Sequence, residues 1–428
     1  MDSSDDKRPA AATPWQSSTS GELRRLAMMV LVVGVLMNLL ARGLAESFAV
    51  FLLPLGEAFD SDRAAVTAIY STYMLVYGFA APFSGALIDR LGPRVCYAVG
   101  LALFALAYAL ASQATALWQL YLLIGVLSGI ASSALGMVPA SVLASRWFDR
   151  RLPTAISFLY ASLGVGVLMF SPLTQWLIEA TGWRGAYRWL ALAPVLLLPL
   201  TILLPWHKLL AGDPAVIARK PSPSPTGMRS ALVSALRARS FWALFGVMFF
   251  TSVTTYSVQV QLVAFLIESG FEPLLAASVY GLCGVLSIAG MMSAGLLAER
   301  YGERTVATLA YSCTLAGLLC LGLLAYYPGV ALLGAFVLLF GSVSGSRGPL
   351  VAVLSSRLFP GEAQATVYGF VLTGMGIGGA LAAWLAGALH DWTGNYQTGF
   401  VVAGIAALAG LGLFRSIEAL SARQAQAG

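Results

Sequence analysis

Three ionisable side chains, Arg42, Glu46 and Arg347, lie in stretches of sequence otherwise suited to a hydrocarbon interior. An arginine at the centre of a bilayer costs about 2.5–3.5 kcal/mol on insertion scales, so such residues are retained where they face a bundle interior or a wet cavity. A guanidinium presents a rigid fork of donors that matches a carboxylate, and a carboxyl group can take up and release a proton. Arg42 and Glu46 are four residues apart, which places them on one face of a helix. An internal ion pair would account for those two by themselves. Arg347 has no acidic neighbour within its own segment. Its surroundings, Gly341-Ser-Val-Ser-Gly345-Ser-Arg347-Gly348-Pro349, carry small residues and a proline able to open the backbone. A close helix crossing would explain the glycines and serines, though not the guanidinium. The expectation is that Arg42 and Arg347 reach one small anionic guest from opposite sides, and that Glu46 carries a proton. Burial opposes a charge on Glu46 and Arg42 favours it. Proton-coupled uptake and exchange of one anion for another both remain open.

Composition identifies the elements that hold these residues. Of 428 residues (45.0 kDa), 58% are hydrophobic and 10% charged, with mean hydropathy +0.80, too few charges to cover a soluble protein of this length. A helix needs roughly 20 apolar residues to cross a bilayer core. Twelve segments qualify, at 26–55, 64–88, 95–113, 117–145, 153–179, 185–205, 240–268, 274–298, 305–326, 329–356, 364–389 and 397–415. The first is long, follows a polar tail and lacks a small-residue cleavage site, so it reads as a span and not as a secretory leader. With the N-terminus placed inside, 20 of the 25 Lys and Arg fall on inner tails and loops, against three outside: Arg63, Arg184 and Arg188. Both termini are therefore expected in the cytoplasm. Arg outnumbers Lys by 22 to 3, which points to a GC-rich bacterial source and a bacterial cytoplasmic (inner) membrane.

The chain repeats itself. Gly85-Ala-Leu-Ile-Asp89-Arg90-Leu-Gly92-Pro-Arg94 recurs as Gly295-Leu-Leu-Ala-Glu299-Arg300-Tyr-Gly302-Glu-Arg304 at an offset of 210, and Gly164 and Gly166 match Gly374 and Gly376 in the same register. Two six-helix halves follow, with a tail at 1–25, bundles at 26–206 and 240–416, a cytoplasmic linker at 207–239 containing Pro221-Ser-Pro-Ser-Pro, and a C-terminal tail at 417–428. At the same offset Arg42 meets Ser252, Glu46 meets Tyr256 and Arg347 meets Met137, so neither half requires the other's charges.

The G-x-x-x-D-R-x-G-x-R loop, its degenerate copy and the six-plus-six layout resemble the major facilitator superfamily. Ser145-Arg146-Trp147-Phe148-Asp149-Arg150-Arg151 and Gly182-Trp183-Arg184 are similar to elements of its monocarboxylate and oxalate–formate branch. The resemblance implies an all-α integral membrane fold of twelve helices in two pseudo-symmetric bundles, rocking about a midplane site faced by helices one, four, seven and ten. On that reading Tyr256 and Gln259 in helix seven join Arg42 and Arg347 as substrate contacts. That branch typically places a binding arginine in helix eight; here 274–298 holds no cation, and Arg347 lies in helix ten. Asp89, Arg90, Arg94, Glu299, Arg300 and Arg304 are expected to act in gating, by pairing at helix ends in one state and releasing in another. Tyr73, Tyr77, Ser132, Tyr368, Thr373 and Trp384 read as packing or interface residues, and His390 and Asp391 as solvated residues at a helix end.

A secondary carrier of a small organic anion, a carboxylate, is the resulting expectation, with protons and membrane lipids as its other partners and a monomer as its working form. Two histidines and four scattered cysteines argue against a metal centre or disulfide framework. With no G-x-x-x-x-G-K-[ST], G-x-S-x-G or H-E-x-x-H, neither an ATP-driven pump nor an enzyme is expected, and no cofactor or nucleic acid is implied. The alternatives are a proton-driven multidrug exporter and a non-transporting membrane sensor on a carrier fold.

Overall fold

The computed structural model describes residues 20–148, 152–217, 236–359 and 364–427. Their regular structure is helical throughout. Nine helical stretches among them are long and apolar enough to cross a membrane. The other three expected spans are present in altered form. Span two is the first part of Arg63–Ala111, which continues into span three, and span six shares Phe158–Leu203 with span five. Span ten is broken into Val330–Phe336, a π-turn at Val337–Gly341 and, after a short non-helical stretch, Arg347–Leu358. Trp118, Leu196, Leu203 and Leu319 lie exposed on the outside of the bundle, a surface stable only against lipid.

The repeated loop motif has a backbone cause. Gly92 and Gly302, 210 residues apart, adopt φ of 79° and 82° where spans two and eight turn into spans three and nine. Gly182 and Gly394, with φ of 70° and 68°, turn spans five and eleven into six and twelve. A side chain is disfavoured at such φ, so glycine holds both of these pairs of turns.

Span one is interrupted beside its own charges. Ser20–Glu46 ends and Phe48–Phe59 begins at Ser47, whose hydroxyl donates to the Leu44 carbonyl at 2.6 Å and so competes with the helical ladder. The halves meet along two seams of small residues. Span two (from Arg63) lies on span eleven (Gln364–Thr393), with Gly78 against Gly376, Met74 against Gly379 and Thr67 against Gly387. Span five (within Leu152–Leu197) lies on span eight (Pro273–Tyr301), where a Cβ on Gly164 would collide with the Gly284 carbonyl. These contacts explain the glycines of span eleven as packing residues.

Between the halves, Trp206–Ala211 forms a short helix docked on the end of span four. Trp147 Nε1 donates to the Leu209 carbonyl at 2.8 Å, and Arg146 Nη1 to that of Leu210 at 3.0 Å. The Pro221 run, with Asp149, Arg150 and Arg151, lies outside the described residues. The last helix, Gln397–Ala427, continues through the stretch expected to be a tail.

Candidate functional site

The interrupted span one delivers Arg42 and Glu46 to the centre of the molecule, between the halves. Arg42 Nη2 pairs with Glu46 Oε1 at 2.6 Å and also donates to the Tyr256 hydroxyl at 2.9 Å. Span seven (Arg239–Glu268) supplies Tyr256, so the guanidinium of one half is bound by the other. Glu46 is held from both halves as well. Tyr70 of span two donates to Oε1 at 2.9 Å, and Tyr280 of span eight donates to Oε2. Tyr70 and Tyr280 stand 210 residues apart, the offset of the repeat. The pseudo-symmetric fold therefore aims one tyrosine from each half at a single carboxylate.

Aromatic rings close the surroundings. Tyr70 lies 5.3 Å from Tyr73 and 6.1 Å from Tyr256 between ring centroids, and Tyr73 stacks on Tyr77 at 6.0 Å. Tyr73 donates to Ser132 of span four at 3.1 Å. Glu46 is 2% exposed, whereas the Arg42 side chain keeps 22%. Among the described residues Arg42 Nε and Nη1 have no bonded partner. The acid is thus sealed while half of the cationic fork stays free for a further acceptor.

The other expected site residues are placed differently. Arg347 is 1% exposed and turns into its own half. It donates to Thr314 Oγ1 and, at 3.2 Å, to the Ala310 carbonyl, and its guanidinium lies 4.4 Å from the Tyr311 ring centroid. All three residues belong to span nine (Glu303–Leu324), and Tyr311 is tied in turn to Thr251 of span seven at 2.9 Å. The structure therefore does not bring Arg347 to Arg42. A hydroxyl, a carbonyl and a ring face take the role expected of a guest. Gln259 is partly buried on span seven, three residues beyond Tyr256, with no bonded partner among the described residues. Of the residues expected to act in gating, Arg94 Nε donates to the Thr201 carbonyl at 2.8 Å, and Arg300 lies over Tyr301 at 5.4 Å. Arg304 is exposed at the start of span nine, and the side chains of Asp89, Arg90 and Glu299 lie outside the described set.

Asp391 was expected to be solvated, and it joins the halves instead. Its Oδ1 accepts the Arg63 backbone N–H at 2.9 Å and its Oδ2 that of Ala64 at 2.6 Å, so span eleven caps the first turn of span two. Arg63 pairs through its guanidinium with Glu268 at the end of span seven, and Tyr396 donates to the same carboxylate at 2.9 Å. Burial pushes the Tyr396 phenol above its usual range, in keeping with its role as donor. The two halves are closed together on this face.

The sequence pattern of the Major Facilitator Superfamily matches residues 31–383 and 294–427. Monocarboxylate transporter 13 of Bos taurus is 33% identical over 393 residues, covering 90% of this chain and 88% of that protein. Monocarboxylate transporter 11 of Homo sapiens is 30% identical, covering 87% and 79%. An uncharacterized MFS-type transporter of Bacillus subtilis, YcxA, is 25% identical, covering 82% and 85%. Among solved structures, a mutant form of the nucleoside transporter NupG superposes with a TM-score of 0.72 at 14% identity, covering 92% of this chain and 99% of that one. The xylose transporter XylE from E. coli, in a partially occluded inward-open conformation, gives 0.70 at 14% identity, covering 91% and 98%. At those identities the likeness concerns the fold alone. Twelve spans in two repeated halves, a central charged cluster held by both, and these matches over nearly the whole length establish that the chain is a multi-pass membrane protein of the major facilitator superfamily, similar to its monocarboxylate transporters.

Proposed function

We propose that the chain carries a small organic monoanion, a carboxylate, across the membrane by alternating access and together with a proton. Arg42 is the anchor for the anion and Glu46 the proton carrier. One observation carries this reading: the central guanidinium leaves Nε and Nη1 unbonded among the described residues and keeps accessible surface, while the acid beside it is buried. Each open N–H suits an oxygen of a carboxylate, and the position of Arg42 between the halves lets a bound anion favour their closure. The relatives named monocarboxylate transporters support the choice of substrate class. A cationic drug would meet a guanidinium first, which disfavours the multidrug exporter.

The bundles at 26–206 and 240–416 are the rocking bodies in this reading. The face bearing the linker is cytoplasmic, following the excess of Lys and Arg there, and the face closed by Asp391 is outer. The preponderance of Arg over Lys supports a bacterial cytoplasmic membrane.

Uptake of radiolabelled acetate, lactate and benzoate into proteoliposomes tests the proposal. With the lumen alkaline, at least one of the three should enter faster than it does in protein-free liposomes, and collapse of the pH gradient should abolish its accumulation. Binding without flux would point to a sensor. Extrusion of a lipophilic cation with no carboxylate flux would establish the exporter.

A further inference from the structure

The environment of Glu46 resembles a receptor more than a simple ion pair. Its two carboxylate oxygens are each held by a phenol, Oε1 by Tyr70 at 2.9 Å and Oε2 by Tyr280, and Oε1 also meets Arg42 at 2.6 Å. The donors come from three spans and both halves, and the two tyrosines are repeat-related at an offset of 210. Neutralising one arginine needs only the pair. Two additional donors, one per oxygen, are what recognition of a carboxylate needs.

We propose that Tyr70, Tyr280 and Arg42 form the substrate's carboxylate cradle, and that Glu46 occupies it as a tethered stand-in for the substrate. The inference rests on the carrier reading above and adds to it Tyr70 and Tyr280 as contacts of the substrate's carboxylate. In the empty carrier Glu46 fills the cradle and holds Arg42 through Nη2. A proton delivered to a Glu46 oxygen removes its charge, weakens its hold on Arg42 and leaves the three donors to the incoming anion. Loss of that proton restores the stand-in and expels the guest. Proton and anion are then coupled by competition for one set of donors, without a separate relay. The charged and titratable groups facing Glu46 are Arg42 on its own helix, Tyr70 and Tyr73 from span two, Tyr256 from span seven and Tyr280 from span eight.

Both tyrosines contribute one hydroxyl to the same guest, so the cradle closes only when the halves are together. A substrate without a carboxylate, or one whose carboxylate is too crowded to accept from both sides, would bind Arg42 without drawing Tyr280 in.

The test is acetate binding to the purified full chain, measured by calorimetry at pH 6 and pH 8. Wild type should bind acetate more tightly at pH 6. Glu46→Ala should bind it equally at the two pH values, and at pH 8 roughly ten- to a hundredfold more tightly than wild type, because no internal carboxylate must be displaced. In that background Tyr70→Phe and Tyr280→Phe should each weaken acetate by roughly 10- to 150-fold, the loss expected of one hydrogen bond to a charged group. Acetate should also raise the melting temperature of Glu46→Ala more than that of wild type, since it restores the partner of a part-buried guanidinium. If Glu46→Ala does not fold, Glu46→Gln keeps the side-chain volume and should show the same insensitivity to pH. Acetate binding no tighter in either Glu46 variant than in wild type at pH 8, or indifferent to both tyrosine hydroxyls, overturns the cradle. Loss of binding confined to Arg42→Ala would in that case leave the anion-carrier reading standing. Failure of every variant, Glu46→Ala included, to bind acetate, lactate or benzoate would overturn both.

Discussion

Replacing Asp391 with alanine should unlatch the face it closes, the outer one in the orientation proposed above. Its carboxylate accepts two backbone N–H groups from the first turn of span two, at 2.9 and 2.6 Å. Hydrogen bonds to charged groups contribute about 1.5–3 kcal/mol each. The Asp391 side chain is 21% exposed, so water can replace part of what is lost. The lower end of that range, discounted for such replacement, gives about 1.5–3 kcal/mol for the pair, or a shift of roughly 10- to 150-fold toward the outward-open state. The Arg63–Glu268 pair remains in this variant, which keeps the effect specific to the cap. Ser71 offers a reporter: it is 8% exposed and lies on the helical face of span two that carries Thr67 and Met74 against span eleven. With Cys96, Cys283, Cys313 and Cys320 replaced, a cysteine introduced by Ser71→Cys should react slowly with a membrane-impermeant maleimide applied outside. Adding Asp391→Ala should raise that rate at least about tenfold, and Asp391→Asn, with one acceptor oxygen left, should fall between. Equal labelling rates in all three proteins would refute the claim that this cap holds the halves together.

Arg347→Met should cost stability more than affinity, because it removes the ties to Thr314, Ala310 and Tyr311 while leaving Arg42 untouched. The melting temperature should fall by several degrees and carboxylate affinity should stay within about twofold. A loss of affinity of tenfold or more at unchanged stability would return Arg347 to the binding site. Gly290→Ala should sharply reduce the yield of folded protein, since the added Cβ would overlap the Ser342 carbonyl where span eight crosses the break in span ten. Gly334→Ala, which meets open space, should behave as wild type in the same expression and size-exclusion assay.

Depth in the membrane was far more legible in the sequence than direction within the bundle. Hydropathy and charge located the spans, and the loop motif carried Gly92 and Gly302, whose positive φ gives the repeat its physical basis. The spacing of Arg42 and Glu46 was enough to pair them, and the offset that aligned the loops also set Tyr256 opposite Glu46. That offset equally relates Tyr70 to Tyr280; the signal was available, but two tyrosines among many apolar residues look like interface anchors until their hydroxyls are seen on one carboxylate. Arg347 went astray for a different reason. It follows the non-helical stretch 342–346, across which the helical phase is lost, so its direction could not be carried over from the residues before it. Asp391 looked solvated because a helix end with two polar neighbours usually is; its partners are backbone N–H groups in the other half, and backbone donors leave no trace in residue type.

The central claim is that the Arg42 guanidinium holds the transported anion, and direct binding to Arg42→Ala tests it most simply. Acetate, lactate and benzoate titrated against wild type and Arg42→Ala, each verified as folded by its melting transition, should show at least about a hundredfold loss in the variant for whichever acid wild type carries. Arg42→Lys, which keeps the charge and loses the fork, should recover only part of it. Wild-type affinity in a folded Arg42→Ala protein would place the substrate somewhere other than the centre of this cluster.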